Sequence, residues 1–118
     1  MPRVMMAPMS NAPASLQQKI RWLLEDLKEY QPEKVILFGS AARGDTDPLS
    51  DLDVVIIKRT HEGFVQRGIE AARLVRCEVA PIDLFVYTPE EFQRMLEDEN
   101  PFIEKVLSEG KVLYEKAA

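Results

Sequence analysis

Cysteine occurs once, at Cys77, so the chain closes no internal disulfide and assembles no multi-thiolate zinc site. A lone thiol is expected to be a buried structural one, and the shortage of cysteine favours a reducing, cytoplasmic setting. Histidine also occurs once, at His61, with no second histidine or cysteine in a ligand-like spacing, which makes it a loop residue rather than a metal ligand. No stretch approaches the roughly 18 apolar residues of a membrane span, and Met1 to Ala14, with Arg3 and three prolines, contains no unbroken apolar leader core. Positive charge is in deficit, with 15 Lys and Arg against 20 Asp and Glu and a net charge of -5. Such a chain has no broad basic surface for a long phosphate backbone, so no extended nucleic-acid surface is expected, and a nucleotide bound here should arrive with its own metal.

What is present is the make-up of an ordinary globular protein: 46% hydrophobic and 30% charged residues in a chain of 118. That length suits one domain whose folding buries roughly two-thirds of the unfolded surface. We expect a loose arm over 1–14 and a single domain over 15–118, with no internal repeat and no low-complexity tract.

Ser15 with Gln18 three residues on has the form of a capping box, and Leu16, Ile20, Leu23, Leu24 and Leu27 follow at helical spacing, predicting a helix from Leu16 to Tyr30. Trp22 on this helix reads as core packing or a partner surface. Past Pro32, the run Val35 to Phe38 predicts a strand buried on both faces and stopped by Gly39. Gly39 to Ser50 reads as a functional loop with one helical turn around Ser40 to Arg43, broken by Asp45, Asp47 and Pro48. Leu52 to Ile57 predicts a second strand. A second long helix is expected over Gly63 to Val75, signalled by Phe64, Val65, Ile69, Ala72 and Val75. Ile82 to Tyr87 predicts a third strand, and Thr88, Pro89 and Glu91 supply the N-cap, N1 proline and N3 acid of a helix through Glu97. Asn100 and Pro101 restart a short helix through Leu107, Gly110 stops it, and Val112 to Tyr114 could add an edge strand. The expected fold class is α/β (α+β), a single mixed sheet packed against helices.

The chemistry is concentrated in Gly39-Ser40-Ala41-Ala42-Arg43-Gly44 followed by Ser50-Asp51-Leu52-Asp53. Side chains on a strand alternate, so Asp51 and Asp53 project to one side while Leu52 and Val54 point to the other. Two carboxylates held together repel and raise each other's pKa unless a cation sits between them; a hard divalent ion with oxygen ligands, Mg2+ first, is the natural occupant. An Asp-x-Asp alone more often marks a solvated strand end. At Gly39-Ser40 a missing side chain lets the backbone approach a phosphate, with amides and the Ser40 hydroxyl as donors. Asp83 lies inside an apolar strand, where a carboxylate without a partner is costly. It therefore implies a metal, a hydrogen-bonded structural role, or an exposed edge. Arg43 suits either the triphosphate or the glycine turn.

An apolar strand, Gly-Ser, ten intervening residues and Asp-x-Asp entering a second apolar strand, with Ala42-Arg43-Gly44 between, resembles the minimal nucleotidyltransferases of the DNA polymerase beta superfamily. The resemblance runs from about Val35 to Tyr87. It implies a palm-like fold, two Mg2+ ions held by Asp51, Asp53 and Asp83, and ATP or another NTP bound through Gly39, Ser40 and Arg43. It further implies transfer of a nucleoside monophosphate to a hydroxyl acceptor with release of pyrophosphate. Small stand-alone members resemble the antitoxin half of pairs whose partner is a helical HEPN ribonuclease, and some modify a tyrosine of that partner with AMP. The rival reading is a noncatalytic antitoxin that works by occlusion. A third, modification of a small molecule such as an aminoglycoside, calls for a further domain or for a homo-oligomer.

Overall fold

The computed structural model describes residues 15–44 and 51–117, so the expected arm over 1–14 and the loop over 45–50 lie outside the described residues. Helix α1 spans Leu16–Leu27 and runs on into a 3-10 turn, Lys28–Tyr30. Strand β1 is Lys34–Phe38, the short helix α2 is Ser40–Arg43, and β2 is Leu52–Ile57. Helix α3 is Phe64–Leu74, a 3-10 turn covers Cys77–Val79, and β3 is Ile82–Tyr87. Helices α4, Pro89–Glu97, and α5, Pro101–Glu109, precede the edge strand β4, Lys111–Glu115. Among the described residues no helix is long and apolar enough to cross a membrane.

The four strands form one mixed sheet in the order β3-β2-β1-β4, with β1 antiparallel to β2 and β4, and β2 parallel to β3. Strand alternation builds two cores from the same residues. Val35, Leu37, Val54 and Ile56 pack with Leu23 and Leu27 of α1 and Ala71 of α3. Ile36, Phe38, Val55 and Ile57 pack on the other side with Val106 and Phe102 of α5 and Phe92 of α4. Strands β1 and β2 therefore have no solvent face, which is why they read as unbroken apolar runs.

The caps stand at the expected residues, although the box expected at Ser15 and Gln18 closes in one direction only. The Ser15 hydroxyl accepts from the Gln18 amide at 3.1 Å, and the Thr88–Glu91 pair closes a reciprocal capping box. Gly110 ends α5 because a Cβ there would overlap the Val106 carbonyl and lie 2.8 Å from Ile36 Cγ2. Two expectations are corrected. Cys77 is exposed, because it opens the 3-10 turn whose inward residue is Val79. Helix α3 forms, but the apolar residues that signalled it are not the face it buries: Val65 is 74% exposed while Arg67 is 6% exposed. The cause is an ion pair. Arg67 places its fork on both carboxylate oxygens of Glu91, at 2.7 and 3.0 Å, and its Nε donates to the Glu62 carbonyl. Trp22 faces Arg76, whose guanidinium lies 5.3 Å from its ring and bonds Asp26 and Glu25, tying the segment after α3 to α1.

Glu91 thus serves the α4 cap and the buried guanidinium at once. Glu91→Gln should cost about 2–3 kcal/mol in urea denaturation, against about 1 kcal/mol for Thr88→Ala. The Arg67 fork holds the Glu91 carboxyl below its ordinary range. Its contribution is therefore full above the unfolded carboxylate pKa and is lost as pH falls through the lowered folded value. The penalty of Glu91→Gln should shrink on the acid side; a pH-independent penalty would contradict the pairing.

Candidate functional site

Antiparallel pairing sets Asp53 of β2 opposite Phe38, the last residue of β1, and parallel pairing sets Asp83 of β3 beside Asp53. Gly39, Asp53 and Asp83 thereby line up at one end of the sheet. Gly39 has φ +77° and ψ -158°, a backbone region essentially restricted to glycine. A Cβ built on it would overlap Oδ2 of Asp53. The glycine is needed twice, for the turn into α2 and for the space the carboxylate fills.

Asp51 is exposed and immediately precedes β2, while Leu52 between the two acids is buried in the α1 core. Burial raises the Asp53 pKa above its ordinary value, and the charges of Asp83 and Asp51 and a hydrogen bond to Asp83 raise it further; Lys105 opposes them. The structure thus brings together the three acids that the sequence singled out, with Asp53 at the centre. Asp83 is exposed on the edge strand β3, beside Asp53.

Among the described residues no three side chains of His, Cys, Asp or Glu close into a ready-made metal cage. The donor set nevertheless fits a hard cation. Asp53 and Asp83 are adjacent oxygen donors, and the repulsion that raises the Asp53 pKa is of the kind that Mg2+ would relieve.

Ser40 is half-buried at the start of α2, where the Gly39 carbonyl accepts from the Ala42 and Arg43 amides. Arg43 pairs with Glu109 of α5 at 3.0 Å, clamping α2 against that helix. Lys105 was not singled out by sequence reasoning. It lies on α5 between Phe102, which meets the Phe38 ring edge-on at 5.5 Å, and Glu109. Positions three and four apart share a helix face, so Lys105 belongs to the face turned toward the end of β1. Nothing in the sequence separates it from the other lysines until α5 is folded over that strand. Two hollows occur elsewhere: a cleft of about 720 Å3 at the opposite end of the sheet and one of about 310 Å3 beside Phe64 and Tyr87. Neither includes the carboxylates, whose place at the sheet end is marked by charge crowding.

A family model described as "Nucleotidyltransferase domain" matches residues 20–79, just over half of the chain. The match spans Gly39, Ser40, Asp51 and Asp53 and stops before Asp83. No curated protein matches the chain. Among the solved structures that are similar to it are two that differ in kind. One is a candidate nucleotidyltransferase from Sulfolobus solfataricus, 27% identical, with TM-score 0.48, covering 71% of this chain and 83% of that one. The other is a toxin-antitoxin with AMP-PNP, 17% identical, with TM-score 0.54, covering 82% of this chain and 73% of that one. The second likeness establishes a shared fold.

Two outcomes test the geometry. Gly44 also has positive φ, +83°, but a Cβ there would meet nothing within 4 Å. Gly44→Ala should therefore cost about 1–2 kcal/mol for backbone alone, and Gly39→Ala should cost more in the same denaturation assay. For Asp53, a raised folded pKa means that its stabilising contribution is full below the unfolded value and lost as pH rises through the folded one. Asp53→Asn should then melt higher than the wild type at neutral pH in chelator, with the advantage vanishing in acid. An unchanged neutral melting point would refute the charge crowding.

Proposed function

The chain belongs to the nucleotidyltransferase domain family, and from that premise we propose that it moves a nucleoside monophosphate, AMP from ATP first, to a hydroxyl on a partner protein and acts as an antitoxin. The observation that carries this reading is the apposition of Asp53 with Gly39 and Asp83 at one sheet end.

In this reading the amides around the Gly39-Ser40 turn and the Ser40 hydroxyl would donate to the triphosphate oxygens. Asp51, Asp53 and Asp83 would hold two Mg2+ ions, which when bound supply neutralisation of the triphosphate and acidification of the acceptor hydroxyl. The acceptor oxygen forms a bond to the alpha phosphorus as the bond to pyrophosphate breaks, and the acceptor proton passes to the Asp53–Asp83 pair. No covalent enzyme intermediate is required; positioning and electrostatics carry the step.

The described residues account for the nucleotide half of such a site, and in this reading a partner protein brings the acceptor. The shared fold with a toxin-antitoxin solved with AMP-PNP supports an antitoxin role, and a helical HEPN ribonuclease is the partner expected from the family resemblance. The presence of all three acids favours catalysis over simple occlusion.

The test is Mg2+-dependent transfer of label from alpha-labelled ATP to the co-purifying partner. Asp51→Asn and Asp53→Asn should each lower transfer on the order of 100-fold or more. Full transfer by Asp53→Asn would sink the assignment. A wild type that binds and inhibits its partner without labelling it would establish the occlusion reading instead.

A further inference from the structure

At the sheet end opposite the carboxylates, the start of β1, the end of β2 and the end of β4 part from the C-terminal end of α1 and open the cleft of about 720 Å3. Its apolar surface includes Leu24, Pro32 and Tyr114, and its cations include Lys28, Lys58 and Lys116. Arg59 also lines it, but that guanidinium is occupied by Glu33 at 3.1 Å and Glu90 at 2.9 Å, and Glu33 is the one acid in the lining. Among the described residues Lys28, Lys58 and Lys116 form no ion pair. The Lys58 ammonium is held by the Tyr30 carbonyl and lies 4.5 Å from the Tyr30 ring centre. A chain of net charge -5 thus gathers uncompensated positive charge around one apolar hollow.

We propose that this cleft docks an acidic segment of another protein, carboxylates on Lys28 and Lys116 and an apolar side chain on Leu24 and Tyr114. Charge complementarity selects an acidic occupant. The lysines are spread along the cleft rather than converging on one point, and Lys28 and Lys116 are exposed; a small-ligand site instead aims a few buried polar groups at a single position. Three lysines on an acidic chain, one of them held by Tyr30, do not make a track for nucleic acid. β1 separates the cleft from Gly39 by five residues, roughly 15 Å at strand rise. A segment seated here leaves the carboxylates open, and the inference stands whether or not they transfer a nucleotide.

The test is selection of displayed random peptides on the full chain, followed by fluorescence anisotropy of a labelled selected peptide. Acidic residues flanking an apolar one should be enriched, and binding should weaken as salt rises. The double variant Lys28→Glu and Lys116→Glu should weaken it about tenfold or more, as should Tyr114→Ala at constant charge. Both lysines are exposed, so circular dichroism should be unchanged, and binding of AMP-PNP should be unchanged too. Selected peptides without acidic residues, or acidic peptides that bind the charge-reversed chain equally well, would overturn the proposal. So would self-association of the wild type that charge reversal abolishes, which would make the cleft an interface between copies of this chain.

Discussion

The Asp53 carboxylate fills the volume that any side chain at Gly39 would require, and the remainder of the site is arranged around that contact. A strand stripped of solvent on both faces ends at a residue with no Cβ. The neighbouring strand can then bring a charged group against its backbone. Because β3 runs parallel to β2 in register, a second carboxylate arrives beside the first. Burial, together with repulsion between them, makes the ionised state of Asp53 less favourable than that of an ordinary carboxylate. Such stored electrostatic cost is typical of a place built for a cation or a proton.

Support for this end of the sheet comes from α5. Phe102 packs edge-on against Phe38, Glu109 holds Arg43, and Lys105 between them tempers the negative field at Asp53. On the opposite face the Arg67–Glu91 pair joins α3 to the start of α4, and Arg76 joins the following turn to α1. Buried or half-buried charged pairs thus tie these elements together. Their value lies in fixing positions, because replacing such pairs by apolar residues is often neutral in stability.

Much of the architecture was legible from local pattern. Ser15, Thr88 and Asn100 announced helix starts that the structure realises, and the runs at Val35 and Leu52 announced strands buried on both sides. Helix α3 was legible as a helix but not in its orientation. Phe64, Val65 and Ile69 have the spacing of a core face, yet they face solvent because Arg67 on the other face has Glu91 and two carbonyls to receive it. Cys77 was expected inside on the preference of its type, and the geometry of a single 3-10 turn put Val79 there instead.

By itself the sequence determined the elements, the glycine turn and the Asp51–Asp53 pair, since each depends on spacing within a few residues, where backbone geometry and the two-residue period of a strand leave little choice. Only the tertiary structure decided which distant groups meet them. Parallel register, set by the long return through α3, chose Asp83 as the neighbour of Asp53. The docking of α5 across β1 gave Asp53 its opposing cation in Lys105 and gave Arg43 its partner in Glu109. Those meetings depend on the packing of whole faces, an energy summed over many side chains, which no short stretch of residues carries.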